Sequence, residues 1–166
     1  MACGGEREGW CTLSAGSPPP SLEPRSFRSG PRYPTLTMTT TIPFPRYVYK
    51  ILSEEPPNPL PHTLPLTPLD AQDGFIHLSA GWRVPQTTAL YFGSYTTIWL
   101  LRVDTEAARG ENARFEWGEP GCVHMYAQDE TRWARMGDGI VVGIRKFDKE
   151  PSEEWEELLT GEEWLR

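Results

Sequence analysis

The chemistry this sequence offers is concentrated in two histidines and the polar side chains beside them. His77 and Ser79 stand two residues apart in the run Asp73-Gly-Phe-Ile-His-Leu-Ser79. Read as a strand, that run alternates with period two. Phe75, His77 and Ser79 then share one face while Ile76 and Leu78 share the other. An imidazole able to move a proton near neutral pH thus lies beside a hydroxyl able to hold a ligand's polar group. Cys122, His124 and Tyr126 alternate in the same way. Glu116 lies between Phe115 and Trp117, where a carboxylate beside an aromatic wall can stabilise a cationic reaction centre. The third histidine, His62, falls in a Pro-rich stretch. The competing reading of each is bland: a histidine that satisfies the core, and a carboxylate turned to solvent.

Several chemistries fail on spacing. No Gly-x-Ser-x-Gly elbow is present, and Ser79 faces parallel to His77 rather than toward its ring, which argues against a serine hydrolase. Cys122 and His124 can be drawn as a thiolate pair, although an i, i+2 pair on one strand is equally an arrangement of inert packing. His77, His124 and Glu116 satisfy a three-ligand count without any ligand spacing, so no metal is expected. Phosphate-cradling Gly loops are missing. Arg132 and Arg135 offer two cations on one face if helical, with a solvated face the simpler fate. Trp99 and Trp117 read as core, either being able to stack on a flat ring.

The elements that must carry these groups are short. Tyr47 to Leu52 is aromatic and β-branched and reads as the first strand. Six Pro between Pro56 and Pro68 exclude a helix or a central strand there and predict a surface excursion, with Leu60, Leu64, Leu66 and Leu69 able to press on the domain. Asp73-Gly74 supplies a turn into the His77 strand. Val84-Pro85 opens a helix through Phe92, closed by Gly93. Thr96 to Val103 is apolar almost throughout and predicts a central strand covered on both faces. Asp104 to Gly110 holds a helical turn. Ala113 to Trp117 and Cys122 to Tyr126 read as short strands, and Ile140 to Ile144 as the last. At the end, Ser152 is the expected N-cap of a helix whose Trp155, Leu158 and Leu159 form one apolar stripe, free to dock on the domain or on a protein partner through residues 152–165. The order of elements predicts a small α+β domain, a curved antiparallel or mixed sheet with one or two packed helices.

Composition sets the boundaries. Residues 1–45 are rich in Pro, Gly, Ser and Thr and are expected to be disordered, residues 46–147 form the domain, and 148–166 an acidic helix or tail. The net charge of -7 divides as +1 over residues 1–37, -2 over 38–147 and -6 over 148–166. A nearly neutral domain gives no electrostatic footprint for nucleic acid. Three Cys leave one in the domain, which fits a reducing compartment and a cytoplasmic protein, with nucleus and mitochondrion left open. The longest hydrophobic runs, such as Ile98 to Leu101, are far too short for a membrane span. Met38-Thr-Thr-Thr just before the first strand is a candidate native start. Peptides recovered from residues 1–37 would overturn it.

Tyr49-Lys50-Ile51, Asp73 to Ser79, Val84-Pro85, Phe115-Glu116-Trp117 and Val123-His124-Met125-Tyr126, in that order, resemble the family known as domain of unknown function 952, in a fungal-like form, over roughly residues 46–147. That family is in turn similar to the ADP-ribosyltransferase-like fold, where a strand ends in His-x-Ser or His-x-Thr. The resemblance implies that His77 and Ser79 hold the ribose and amide of the nicotinamide end of NAD, used as a substrate. It points to Lys50 after Tyr49 at the first-strand position where the transferase pattern has His or Arg, and to Glu116, by residue type, as the late-strand acid. On this reading Trp117 or Tyr126 stacks on the ligand, His124 lines the pocket, and ADP-ribosyl or 2′-phosphotransferase-like chemistry follows. A non-catalytic module recognising a nucleotide, or a scaffold for a protein partner, is the alternative.

Overall fold

The computed structural model describes residues 44–129 and 133–166. Its framework is a six-stranded, wholly antiparallel sheet in the order β4-β5-β2-β1-β3-β6. The strands are β1 (Tyr47–Leu52), β2 (Ile76–Ala80), β3 (Thr97–Asp104), β4 (Ala113–Trp117), β5 (Cys122–Ala127) and β6 (Val141–Asp148). Four helices join or cover them: α1 (Pro68–Asp73), α2 (Val84–Tyr91), α3 (Thr105–Gly110) and α4 (Trp155–Leu159). The architecture is α+β, as expected. Among the described residues no helix is long and apolar enough to cross a membrane.

Each face of the sheet has its own core. Val48, Ile76, Leu78, Leu101, Val103, Val123 and Met125 point to one side, where Leu64 from the Pro-rich excursion, Ala108 from α3, and Ala134, Met136 and Ile140 cover them. Tyr49, Ile51, Ile98 and Leu100 point to the other, beneath Val84 of α2, Trp155 and Leu159 of α4, and Leu165. That second cover lies over β1 and β3. It does not extend across β2, β5 and β4, where Phe75, His77, Cys122, His124, Tyr126 and Arg114 on the same face remain half-exposed.

The C-terminal helix differs from its expectation at its start and takes one of the two dockings left open for it. It starts at Trp155 after Glu154, whose side chain makes no capping bond, so Ser152 is not its cap. Two of its three stripe residues pack within the domain, while Leu158 stays exposed. Trp155 and Leu159 are fully buried, and the Trp155 indole N–H donates to the carbonyls of Phe92 and Tyr95 at 3.0 and 3.1 Å. Farther on, the Tyr49 hydroxyl donates to the carbonyl of Trp164 at 2.7 Å, and the Arg102 guanidinium lies 4.6 Å from the Trp164 ring. The last strand also runs beyond Ile144, because β6 pairs with β3 down to Thr97↔Asp148.

A small irregularity sets up the site. β1 pairs with β3 over six residues but with β2 over only Val48↔Ala80 and Tyr49↔Ser79. Past that point the two strands splay. α1 enters the opening, with Pro68 at its first position, Thr67 as its N-cap and Gly74 at φ +82 as its C-cap. The turn expected at Asp73-Gly74 is therefore the end of a short helix.

Candidate functional site

Asp70 of α1 fills the gap that the splay leaves. It is 1% exposed, and its carboxylate accepts from the backbone N–H of His77 at 3.0 Å, standing in for the strand partner that β1 no longer supplies. The same oxygen lies 2.9 Å from Nδ1 of His77. Lys50 of β1 reaches the carboxylate from the other side, donating at 2.8 and 2.6 Å. Burial alone would raise the Asp70 carboxyl, but the His77 hydrogen bond and the Lys50 charge outweigh it and hold the group well below the usual carboxylate range. Burial pushes the Lys50 ammonium below its ordinary value, an effect that Asp70 partly offsets. The imidazole of His77 also meets a second carboxylate, with Nε2 3.2 Å from Asp73 Oδ2.

The neighbouring strands complete an aromatic platform. His77 faces His124 across the β2–β5 ladder, the ring centroids being 5.7 Å apart. Phe75 stacks on His124 at 4.0 Å and lies 5.3 Å from Tyr126. Arg114 of β4 lies over the Tyr126 ring at 4.3 Å. Burial, and after it the proximity of His77, holds His124 below the ordinary imidazole value and favours its neutral form. The close approach of the β4–β5 hairpin depends on Gly118, because a Cβ there would stand 2.6 Å from the His124 ring.

The structure brings His77, His124, Tyr126 and Glu116 onto one open face, with Ser79 on the same side of the sheet but only 4% exposed. Ser79 lies at its inner edge, its hydroxyl 3.3 Å from that of Thr87 in α2. Glu116 is the cross-strand partner of His124 and forms an ion pair with Arg114. Tyr49 shares the face but is 1% exposed beneath the C-terminal segment. Lys50 and Trp117 belong to the opposite side of their strands. Lys50 is committed to Asp70, and Trp117 stacks on Phe44 at 4.6 Å within the other core. Cys122 is half-buried on the site face, whereas His62 is exposed and contacts Arg135 at 3.1 Å, away from the cluster. Arg132 lies outside the described residues, and Arg135 ion-pairs with Glu111 at 3.3 Å from a non-helical segment. Among the described residues no group of three or more His, Cys, Asp or Glu is placed to hold a metal ion.

Sequence reasoning missed Asp70, Asp73, Arg83 and Thr87. Asp73 was expected only as a turn residue and Asp70 carried no expectation; the splay of β1 from β2 is what brings both to His77. Arg83 precedes α2 and lies 3.7 Å from Glu119, with its Nε unpartnered and shielded from solvent. A separate, open depression of about 650 Å³ lies among Ser53, Glu55, Ser94 to Thr97, Trp99 and Lys146. It shares no residue with the His77 face.

The model of the family described as "Protein of unknown function (DUF952)" matches residues 61–134, which include α1, β2 and β5, and supports the resemblance to that family over those residues. No curated protein matches the chain. Among solved structures the chain is similar to the crystal structure of protein CC0527 from Caulobacter crescentus, at 25% identity and a TM-score of 0.52, over 69% of this chain and 98% of that one. A double methionine mutant of the same bacterial protein aligns at 25% identity with a TM-score of 0.51 over the same shares.

Proposed function

We propose that the open half of the sheet, carried by β2, β5 and β4, is a recognition surface for a nucleotide of the NAD or ADP-ribose class. One observation carries this reading. Two α-helices bury one half of a sheet face, while the other half leaves Phe75, His124 and Tyr126 as a half-exposed stacking platform beside the imidazole of His77, with the buried hydroxyl of Ser79 at its inner edge. A flat base or nicotinamide ring gains stacking energy on such a platform, and ribose hydroxyls match the polar edge. Arg114 and Arg83 border it with positive charge suited to a diphosphate. The similarity of the motif to the ADP-ribosyltransferase-like fold supports the same ligand class.

Catalysis is the more specific form of the proposal. Glu116 reaches the open face opposite His124, where its carboxylate can support positive charge developing at a sugar carbon. Its ion pair with Arg114 must open first, which favours recognition over turnover as the primary activity. Calorimetry and thermal shift with NAD and ADP-ribose test the reading. Saturable binding that His77→Ala and Tyr126→Ala both weaken at least tenfold is expected. A wild-type protein that binds neither compound would overturn it. Release of nicotinamide from NAD, lost in Glu116→Gln, would establish the catalytic form.

A further inference from the structure

The depression that shares no residue with the His77 face lies where β1 ends and β3 begins. Leu52, the last residue of β1, stands opposite Trp99 of β3, and Ser53 to Glu55 carry the chain away from the sheet there. On its other side Trp99 faces Lys146 of β6, whose ammonium lies 5.9 Å from the indole ring. Ser94 to Thr96 form the loop that enters β3. The hollow of about 650 Å³ among these segments has two aromatic rings in its lining, the exposed Tyr95 and the half-exposed Trp99.

The loop is held in place through its main chain. The Tyr95 carbonyl accepts from the buried Trp155 indole at 3.1 Å, and the Tyr95 N–H donates to the carbonyl of Phe92 at 3.0 Å. The Thr96 carbonyl accepts from the Lys149 N–H at 2.8 Å. The backbone is thus pinned while the side chains of Ser94, Tyr95 and Thr96 stay exposed, which lowers the ordering cost of binding.

The lining is rich in hydroxyls and poor in net charge. Ser53 and Thr96 each offer a donor and acceptors that no described residue engages through the side chain, and Glu55 has no ion pair among the described residues. The Lys146 ammonium is neutralised by Asp148 of its own strand at 3.0 Å, and the Lys149 ammonium lies over the Trp155 ring at 5.8 Å. No surplus of positive charge is left for a phosphate. Two rings with an apolar face, set among groups that both give and take hydrogen bonds, match a ligand of the same make-up.

We propose that this hollow is a second binding site, for a neutral saccharide: the C–H face of a pyranose ring rests on Trp99 and Tyr95, while the sugar hydroxyls exchange hydrogen bonds with Ser53, Thr96, Glu55 and the Lys146 ammonium. Burial of the apolar sugar face against the rings drives the contact, and the hydroxyl pattern selects the sugar. A nucleotide would stack on the same rings but bring its phosphate to an unbalanced carboxylate. The site depends in no way on the nucleotide reading of the His77 face.

Titration of the full chain with maltose, cellobiose and lactose tests it, followed by calorimetry and by indole ¹H–¹⁵N resonances, with 5′-AMP as a charged aromatic control. At least one disaccharide is expected to bind with a Kd of about 1 mM and to shift the Trp99 indole resonance. Tyr95→Ala removes an exposed ring without touching the main-chain bonds of the loop, and should weaken that binding about fivefold or more. Trp99→Ala should abolish it; because Trp99 also packs against the core, Tyr95→Ala decides the matter if that variant does not fold. His77→Ala should bind the sugar as wild type does. The proposal is overturned if no disaccharide moves the Trp99 resonance, if Tyr95→Ala binds as tightly as wild type, or if 5′-AMP is preferred.

Discussion

Lys50 and Asp70 meet across the opening between β1 and β2 with 2.6 Å between Nζ and Oδ2, their side chains 6% and 2% exposed. The pair is the reason that α1 stays lodged between two strands that no longer bond each other. A charge buried to this degree is tolerated because each partner neutralises the other and Asp70 accepts two further contacts from His77.

Removing one partner should therefore cost far more than removing both. Asp70→Asn and Lys50→Met are each expected to destabilise by about 3–5 kcal/mol, because each leaves the other charge buried and unpaired. The double variant should cost clearly less than the sum of the two. Denaturant unfolding of all four proteins measures the coupling, and strictly additive losses would contradict the pair.

The pH dependence of that pair has a defined sign. The folded-state value of Asp70 is depressed, so its stabilisation is complete above the unfolded carboxylate range near ~4 and is lost as pH falls toward the folded value. Acid unfolding curves of wild type should steepen below about pH 4, and Asp70→Asn should lack that component.

His124 predicts a second transition at higher pH. Its folded value is lowered by burial and then by His77, so the folded state disfavours the proton that the unfolded chain takes up below about 6.5. Stability should fall as pH drops from about 7 toward the folded value, and less so in His124→Gln. Equal slopes for the two proteins between pH ~7 and ~5 would remove His124 from the account.

The C-terminal segment is structural. Trp155 is fully buried and hydrogen-bonded, so Trp155→Ala is expected to cost about 3–5 kcal/mol. Deleting residues 150–166 would uncover Ile98, Leu100 and Tyr49 and should produce an aggregating or unfolded chain rather than a folded domain lacking a partner site. Thermal melts and size exclusion distinguish these outcomes.

Gly118 offers a probe of the platform that leaves its chemistry intact. The Cβ of Gly118→Ala would press on the His124 ring, which stands over Phe75. The ring must shift, so a loss of about 1–3 kcal/mol is expected together with displaced His124 and Phe75 resonances and weaker ligand binding. Unchanged spectra would show that the hairpin does not press on the platform.

Much of this site was legible in the chain because strand alternation is a local property. Periodicity alone placed Phe75, His77 and Ser79 together, and Cys122, His124 and Tyr126 together, and the register then set His77 opposite His124. The same periodicity separates Lys50 from Tyr49 and Trp117 from Glu116, neighbours that the family resemblance had grouped in one pocket.

The strands, the α+β class and the side chains that travel together on a given strand could be read locally, since they follow from residue types a few positions apart. Which half of which face stays open, the closing of Asp70 and Asp73 on His77, and the return of the terminal helix over β1 and β3 emerge only on folding. Those outcomes depend on where strands splay and where helices come to rest. Such placements are set by contacts tens of residues apart, which no local pattern encodes.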